Sequence, residues 1–308
     1  MAKNFVVVVL ILILLSVSVF FGVSSYKSKE RELEFNGTVR KYRLHVPSGY
    51  YEKDSYPLII ALHGFTDNPR LLEINSGFST KADEEGFFVV YPYGSKKSQF
   101  MPRTWNAKFC CGDAVDEKVD DVGFISRIIE DTTGTYNINK DRIYVVGLSN
   151  GGMLAHQIAL QIPDKIAAGA VVAGAVGGQK EGSEQYVWLD QSGIPIPMII
   201  FHGREDPTVP FDGGMSRWRV INFTAAYDEV NLWLQNNKCD THPSEITKTD
   251  NYTKEVYGQC ANGADVVFYA MNNKHVWPGG WQEFPRNFSS RTVRATDLIW
   301  EFFSARKK

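Results

Sequence analysis

Charge of one sign is the first thing this sequence lacks. Over 308 residues, 33 Lys and Arg face 35 Asp and Glu, a net charge of −2, and no long run of like charge suggests a disordered tail apart from the short Arg306-Lys307-Lys308 end. A nucleic-acid surface needs a basic excess, so no nucleic-acid partner is expected. Cysteine is scarce too, with four residues: Cys110, Cys111, Cys239 and Cys260. They form no CxxC pair and the six histidines do not gather around them, which leaves no pattern for a zinc site. Neither a metal nor a cofactor is expected. Internal repeats, low-complexity linkers and composition breaks are also missing, so residues 26–308 read as one catalytic domain.

What the chain does have is one long apolar run, Phe5 to Val23, behind Lys3 and ahead of Ser24-Ser25. That is the layout of a secretory signal over residues 1–25, cleaved before Tyr26. The run also reaches the lower bound for a membrane span, so an uncleaved anchor is the alternative. Both readings put the domain outside the cytosol, secreted in the first case and membrane-attached only in the second. An even cysteine count in an exported chain favours disulfides, with three connectivities open. The preferred set is Cys239–Cys260, around a polar stretch, with a vicinal Cys110–Cys111 pair. Sequons at Asn36, Asn222, Asn251 and Asn287 are candidate glycosylation sites.

Periodicity places the elements. Arg31–Phe35 and Val39–Val46 read as strands joined by Asn36-Gly37, the strongest hairpin dipeptide. Pro57–Leu62, Phe87–Tyr91, Ile143–Val146, Ala170–Ala173, Met198–Phe201 and Val266–Ala270 are short apolar runs of the kind that fill a sheet buried on both faces. Leu71–Glu85, Asp121–Asp131, Met153–Gln161 and Ala295–Phe303 carry helical spacing. Asp120 reads as a helix cap rather than half of a metal site. Alternating strands and helices mean an α/β fold, a mostly parallel central sheet covered by helices on both faces.

Gly147-Leu148-Ser149-Asn150-Gly151 is a Gly-x-Ser-x-Gly pattern. By itself it is weak, but it follows an apolar strand and opens a helix, the setting of a nucleophile on a tight turn. Serine needs a base and the base an orienting acid, in the chain order Ser, Asp or Glu, His. Beyond the helix that the serine opens lie only His202, His242 and His275. His202 caps its strand and reads as structural, and His242 has no strand before it. His275, after Val266–Ala270, is therefore the base. Asp206 is the preferred acid, with Glu205 and Asp212 as alternatives. Asn150 supplies one oxyanion N–H, and Phe65, in the loop after Leu62, the other, with Thr66 as its alternative. His63 reads as a buried hydrogen-bonding residue. Trp105, Phe109, Trp277 and Trp281 are candidates for an aromatic substrate cleft.

The blocks His63-Gly64, Trp105-Asn106, Cys110-Cys111-Gly112, Val119–Phe124, Gly147–Met153, His202-Gly203-x-x-Asp206-x-x-Val209-Pro210 and His275–Gly279 occur in that order. Together they resemble the polyhydroxybutyrate-depolymerase-like esterases, relatives of the feruloyl and acetylxylan esterases of carbohydrate esterase family one, over Tyr42 to Trp300. The resemblance implies a single-domain secreted α/β-hydrolase with Ser149, Asp206 and His275 as its triad and a bridged Cys239…Cys260 segment. It implies an ester substrate, on plant polysaccharide or on hydroxyalkanoate polyester. Asn273-Lys274 depart from it, since glycine is common there, and leave the substrate less defined. Two other classes are weighed: a serine peptidase of this fold, which would need an accessory domain, and a non-catalytic binding module, which would lack a triad residue.

Overall fold

The computed structural model describes residues 27–280 and 293–308. The expected signal segment, Trp281 and Asn287 lie outside the described residues. Among the described residues no helix is long and apolar enough to cross a membrane.

Strands β1 (Lys29–Phe35) and β2 (Thr38–His45) form the hairpin that Asn36-Gly37 announces. Both turn residues have positive φ, 50° and 73°, as the right-handed strand twist demands of a two-residue loop. β3 (Tyr56–Leu62), β4 (Phe88–Pro92), β5 (Ile138–Leu148), β6 (Ala168–Val172), β9 (Met198–Gly203) and β14 (Val266–Met271) are parallel neighbours in the order β4-β3-β5-β6-β9-β14. Antiparallel pairs flank them: β1-β2 beside β4, and β12 (Glu245–Lys248) with β13 (Tyr252–Tyr257) beside β14. The Cys239–Cys260 disulfide encloses this last pair, a constraint worth about 3 kcal/mol for a loop of that size. Cys110 and Cys111 are bonded to each other.

Every residue of β3, β4, β6, β9 and β14 is buried, because helices cover both faces. Leu58, Ile60 and Leu62 belong to one buried cluster with the inner faces of helices Asp121–Thr135, Asn150–Gln161 and Ala226–Asn237. Ile59 and Ala61 point the other way, into the cluster of Leu72, Phe78, Trp300 and Phe303. The predicted helix over Leu71–Glu85 is two helices, Pro69–Ser76 and Phe78–Glu85, broken at Gly77, whose φ of 70° ends the first. Asp120 caps Asp121–Thr135 by accepting from Gly123 N–H at 2.8 Å. A second sheet of short strands, β10 (Gly214–Met215), β11 (Ile221–Phe223), β7 (Gly177–Lys180) and β8 (Val187–Trp188), has no counterpart in the sequence reading. Asn36 is exposed, while Asn222 and Asn251 are half-buried.

In this order β3 is followed by β4 on one side and by β5 on the other, which makes their shared C-terminal end a topological switch point. Crevices form there because successive crossovers leave in opposite directions. Phe65 follows β3 and Ser149 follows β5.

Candidate active site

Ser149 sits at φ 56°, ψ −122°, a conformation that only a tightly packed turn sustains. The packing is visible at its glycines. A Cβ on Gly147 would lie 2.1 Å from the carbonyl oxygen of Gly151, and one on Gly151 2.3 Å from that of Leu62. Ser149 N–H donates to Val172 O at 2.8 Å. The turn is thus anchored to β6 while its side chain faces the crevice. Asn150 opens the following helix. Its side chain accepts from Trp105 N–H at 2.8 Å and donates to the carbonyls of Trp105 and Cys110 at 3.1 and 3.2 Å. Sequence reasoning assigned Asn150 only its N–H and missed this amide, which ties the serine turn to the loop carrying the vicinal disulfide.

The loop after β3 is set by His63. Its Nε2 accepts from Gly94 N–H at 3.0 Å, so the proton is on Nδ1, which donates to Gly64 O at 2.8 Å. Complete burial pushes this imidazole down to about 4, so it stays neutral at working pH. In a planar peptide the C=O and N–H point oppositely, so holding Gly64 O also aims the N–H of Phe65. Among the described residues no backbone hydrogen bond engages that N–H.

His275 Nδ1 donates to Asp206 Oδ2 at 2.6 Å, and Asp206 Oδ1 accepts from the N–H groups of Thr208 and Val209 at 2.7 and 2.9 Å. The two loops are zipped together: Arg204 N–H donates to Met271 O and Glu205 N–H to Asn273 O, at 2.8 and 3.1 Å. Gly203 permits this approach, since a Cβ there would stand 2.5 Å from Asn273 O. Glu205 and Asp212, the alternative acids, are exposed and have no hydrogen bond to His275 among the described residues. Ser149 and His275 line one cavity of about 620 Å³. No hydrogen bond joins Ser149 Oγ to His275 Nε2 among the described residues; such contacts often close only with substrate in place.

The tryptophans need correcting. Trp105 and Trp277 are 0% and 1% exposed and lie outside the cavity lining. Their indole N–H groups donate to His63 O and Thr296 Oγ1, so Trp105 braces the loop after β3 and Trp277 ties its own loop to helix Ala295–Ser304. Phe109 is buried against Phe223. The residues that do line the cavity include Phe65, Met153, Trp218, Ile221, Phe223 and the Cys110–Cys111 pair. Trp218, 58% exposed, lies in the short-strand region between β10 and β11, where no period marks it.

Asp67, two residues beyond Phe65, has its carboxyl pushed up to about 6 by burial. The folded state therefore holds this proton more tightly than the unfolded chain does. Its contribution is fully present below about pH 4 and is lost as pH rises through 6. Asp67→Asn is expected to raise Tm at pH 7.5, by the equivalent of about 1–2 kcal/mol, with little change at pH 4. An equal shift at both pH values would exclude this cause.

Comparison with known proteins places these features. The model of the family described as Esterase PHB depolymerase matches residues 40–188. "Putative esterase NocK" of Nocardia uniformis subsp. tsuyamanensis is 30% identical over 292 residues, spanning 89% of this chain and 80% of that protein. Feruloyl esterase B of Piromyces equi is 28% identical over 257 residues, 81% of this chain but 45% of that protein. Among solved structures, an acetyl xylan esterase from Aspergillus awamori superimposes with a TM-score of 0.61 at 16% identity, covering 90% of this chain and 99% of that one; at that identity the likeness is one of fold. Fold and relatives together define a serine carboxylic-ester hydrolase of the α/β-hydrolase class. Within that class, the chain belongs to the polyhydroxybutyrate-depolymerase-like esterase family.

Proposed function

We propose that the chain, exported and acting through residues 26–308 as one domain, hydrolyses esters of aromatic acids such as feruloyl groups on plant polysaccharide. Ser149 Oγ attacks the ester carbonyl while His275 Nε2 takes its proton, and Asp206 holds the imidazole in the tautomer whose Nε2 can accept. The N–H groups of Asn150 and Phe65 receive the oxyanion, each worth roughly 3–4 kcal/mol in comparable sites. His275 then protonates the leaving alcohol, and water repeats the sequence on the acyl-enzyme. The named relatives include a feruloyl esterase, and acetyl esters and hydroxyalkanoate oligomers are the competing substrates.

The observation that carries the aromatic reading is the apolar cavity of about 620 Å³ opening on Ser149. An acetyl group would leave most of it empty, whereas a phenylpropanoid acid has rings and chain to bury there. Trp218→Ala is expected to raise KM for methyl ferulate about tenfold, by loss of aromatic contact, with kcat nearly held and p-nitrophenyl acetate scarcely affected. An equal loss on both esters would remove the aromatic assignment, and faster turnover of polyhydroxybutyrate oligomers than of methyl ferulate would replace it.

A further inference from the structure

Behind Asp206 lies a run of buried ionisable groups that the proposed chemistry does not use. His202, at the end of β9, Glu229 and His156 are 0–1% exposed. His202 Nε2 is 3.8 Å from Asp206 Oδ2, the oxygen that receives His275. On its far side, Nδ1 meets Glu229 Oε1 at 3.0 Å, and Glu229 Oε2 meets His156 Nε2 at 2.7 Å.

The protons in this run follow from which partners can only donate and which only accept. The indole N–H of Trp233 donates to His156 Nδ1 at 2.8 Å, so that nitrogen is bare, His156 is neutral, and its Nε2–H donates to Glu229. His202 Nε2 faces the carbonyl of Val209 at 2.9 Å and must carry a proton. Its Nδ1 faces the carboxyl of Glu229. Either Glu229 is protonated and His202 neutral, or the two form an ion pair.

Three features select the ion pair. Glu229 stands in the first turn of helix Ala226–Asn237, where the helix dipole favours an anion. It receives the ring N–H of His156 in either case, and a donor to a carboxylate favours its charged form. The Asp206 carboxylate adds a second negative group facing His202. The directions agree: burial opposes charge on both, yet the bonds to His156 and His202 hold Glu229 below its ordinary range, and the bond to Glu229 with the nearby negative charge of Asp206 raises His202.

We infer that His202 is a buried imidazolium, fixed by Glu229, and that it acts as a positioning residue behind Asp206. The inference rests on the reading of Ser149, Asp206 and His275 as the reacting set. A cation at its back holds the Asp206 carboxylate aimed at His275. The same positive charge acts against a second positive charge on the imidazole that Asp206 holds. The groups facing His202 are Asp206 from the following loop, Glu229 from the helix and, beyond the Phe211 ring that lies edge-on to it, Arg204 on the outer side of that ring. Arg204 and Lys274 are exposed, and solvent screens them.

Two measurements test this. In selectively labelled whole protein, imidazole nitrogen NMR should show both nitrogens of His202 protonated at pH 7.5 and His156 with one. This readout does not depend on activity, so it stands even if Ser149→Ala were to disprove the reacting set. In kinetics, His202→Gln and Glu229→Gln should each move the acidic limb of kcat/KM upward by about half a pH unit, since each removes the charge behind Asp206. His156→Gln, which perturbs the same core but not that charge, should leave the limb in place. A single protonated nitrogen on His202, or an unmoved limb in a folded His202→Gln, overturns the inference. If the variants do not fold, the NMR result decides alone.

Discussion

Ser149→Ala is expected to lower kcat for p-nitrophenyl acetate by about 10⁴–10⁶ while leaving the fold intact. The substitution removes one oxygen and keeps the Cβ, so nothing in the crowded turn between Gly147 and Gly151 has to move. Ser149 N–H still bonds to Val172 O. What disappears is the atom that forms the acyl-enzyme. The N–H groups of Asn150 and Phe65 remain and can still polarise a bound carbonyl, which is why a residue of catalysis, about 10³-fold over water, should survive. A fluorophosphonate should label the parent protein at Ser149 and leave the variant unlabelled. Hydrolysis that persists at the parent rate, or an adduct on another residue, would place the nucleophile elsewhere.

The serine turn was legible in the sequence because its constraints are steric and local. Two glycines flank a serine where any Cβ would meet backbone, and apolar runs before and after reveal the strand and helix. The buried sheet was legible for a similar reason, since strands covered on both faces tolerate little but apolar residues. Helix Ala226–Asn237 was not read at all. Its buried face includes Glu229, Asn236 and Asn237, so polarity no longer marks the outside. Asn236 and Asn237 instead satisfy the backbone of Ser192, Gly193 and Ile196, contacts more than forty residues away that no local pattern reveals. The cavity wall was lost for a different reason: β10 and β11 are two and three residues long, too short to show a period. Nearness to a motif in sequence then suggested Trp105 and Trp277, yet a large ring near a site serves as well to support its loops from below.

Asp206→Asn is expected to reduce kcat/KM by about 10⁴ near neutral pH with little loss of stability. The reason lies in which atom each partner demands. Thr208 and Val209 both present N–H groups to Oδ1, so an asparagine must turn its oxygen toward them. Its NH₂ then faces His275 Nδ1, where the carboxylate oxygen now accepts at 2.6 Å. Two donors cannot share that contact, so the imidazole shifts its proton to Nε2. In that tautomer the nitrogen facing Ser149 donates, and it can no longer take the serine proton. The side chain is isosteric and the loop bonds to Met271 and Asn273 are untouched, so Tm should stay within a few degrees while fluorophosphonate labelling slows in parallel with ester turnover. Retention of more than about a tenth of the activity would mean that another carboxylate orients His275. Glu205 and Asp212 would be the residues to replace next, although their exposure argues that changing either costs little.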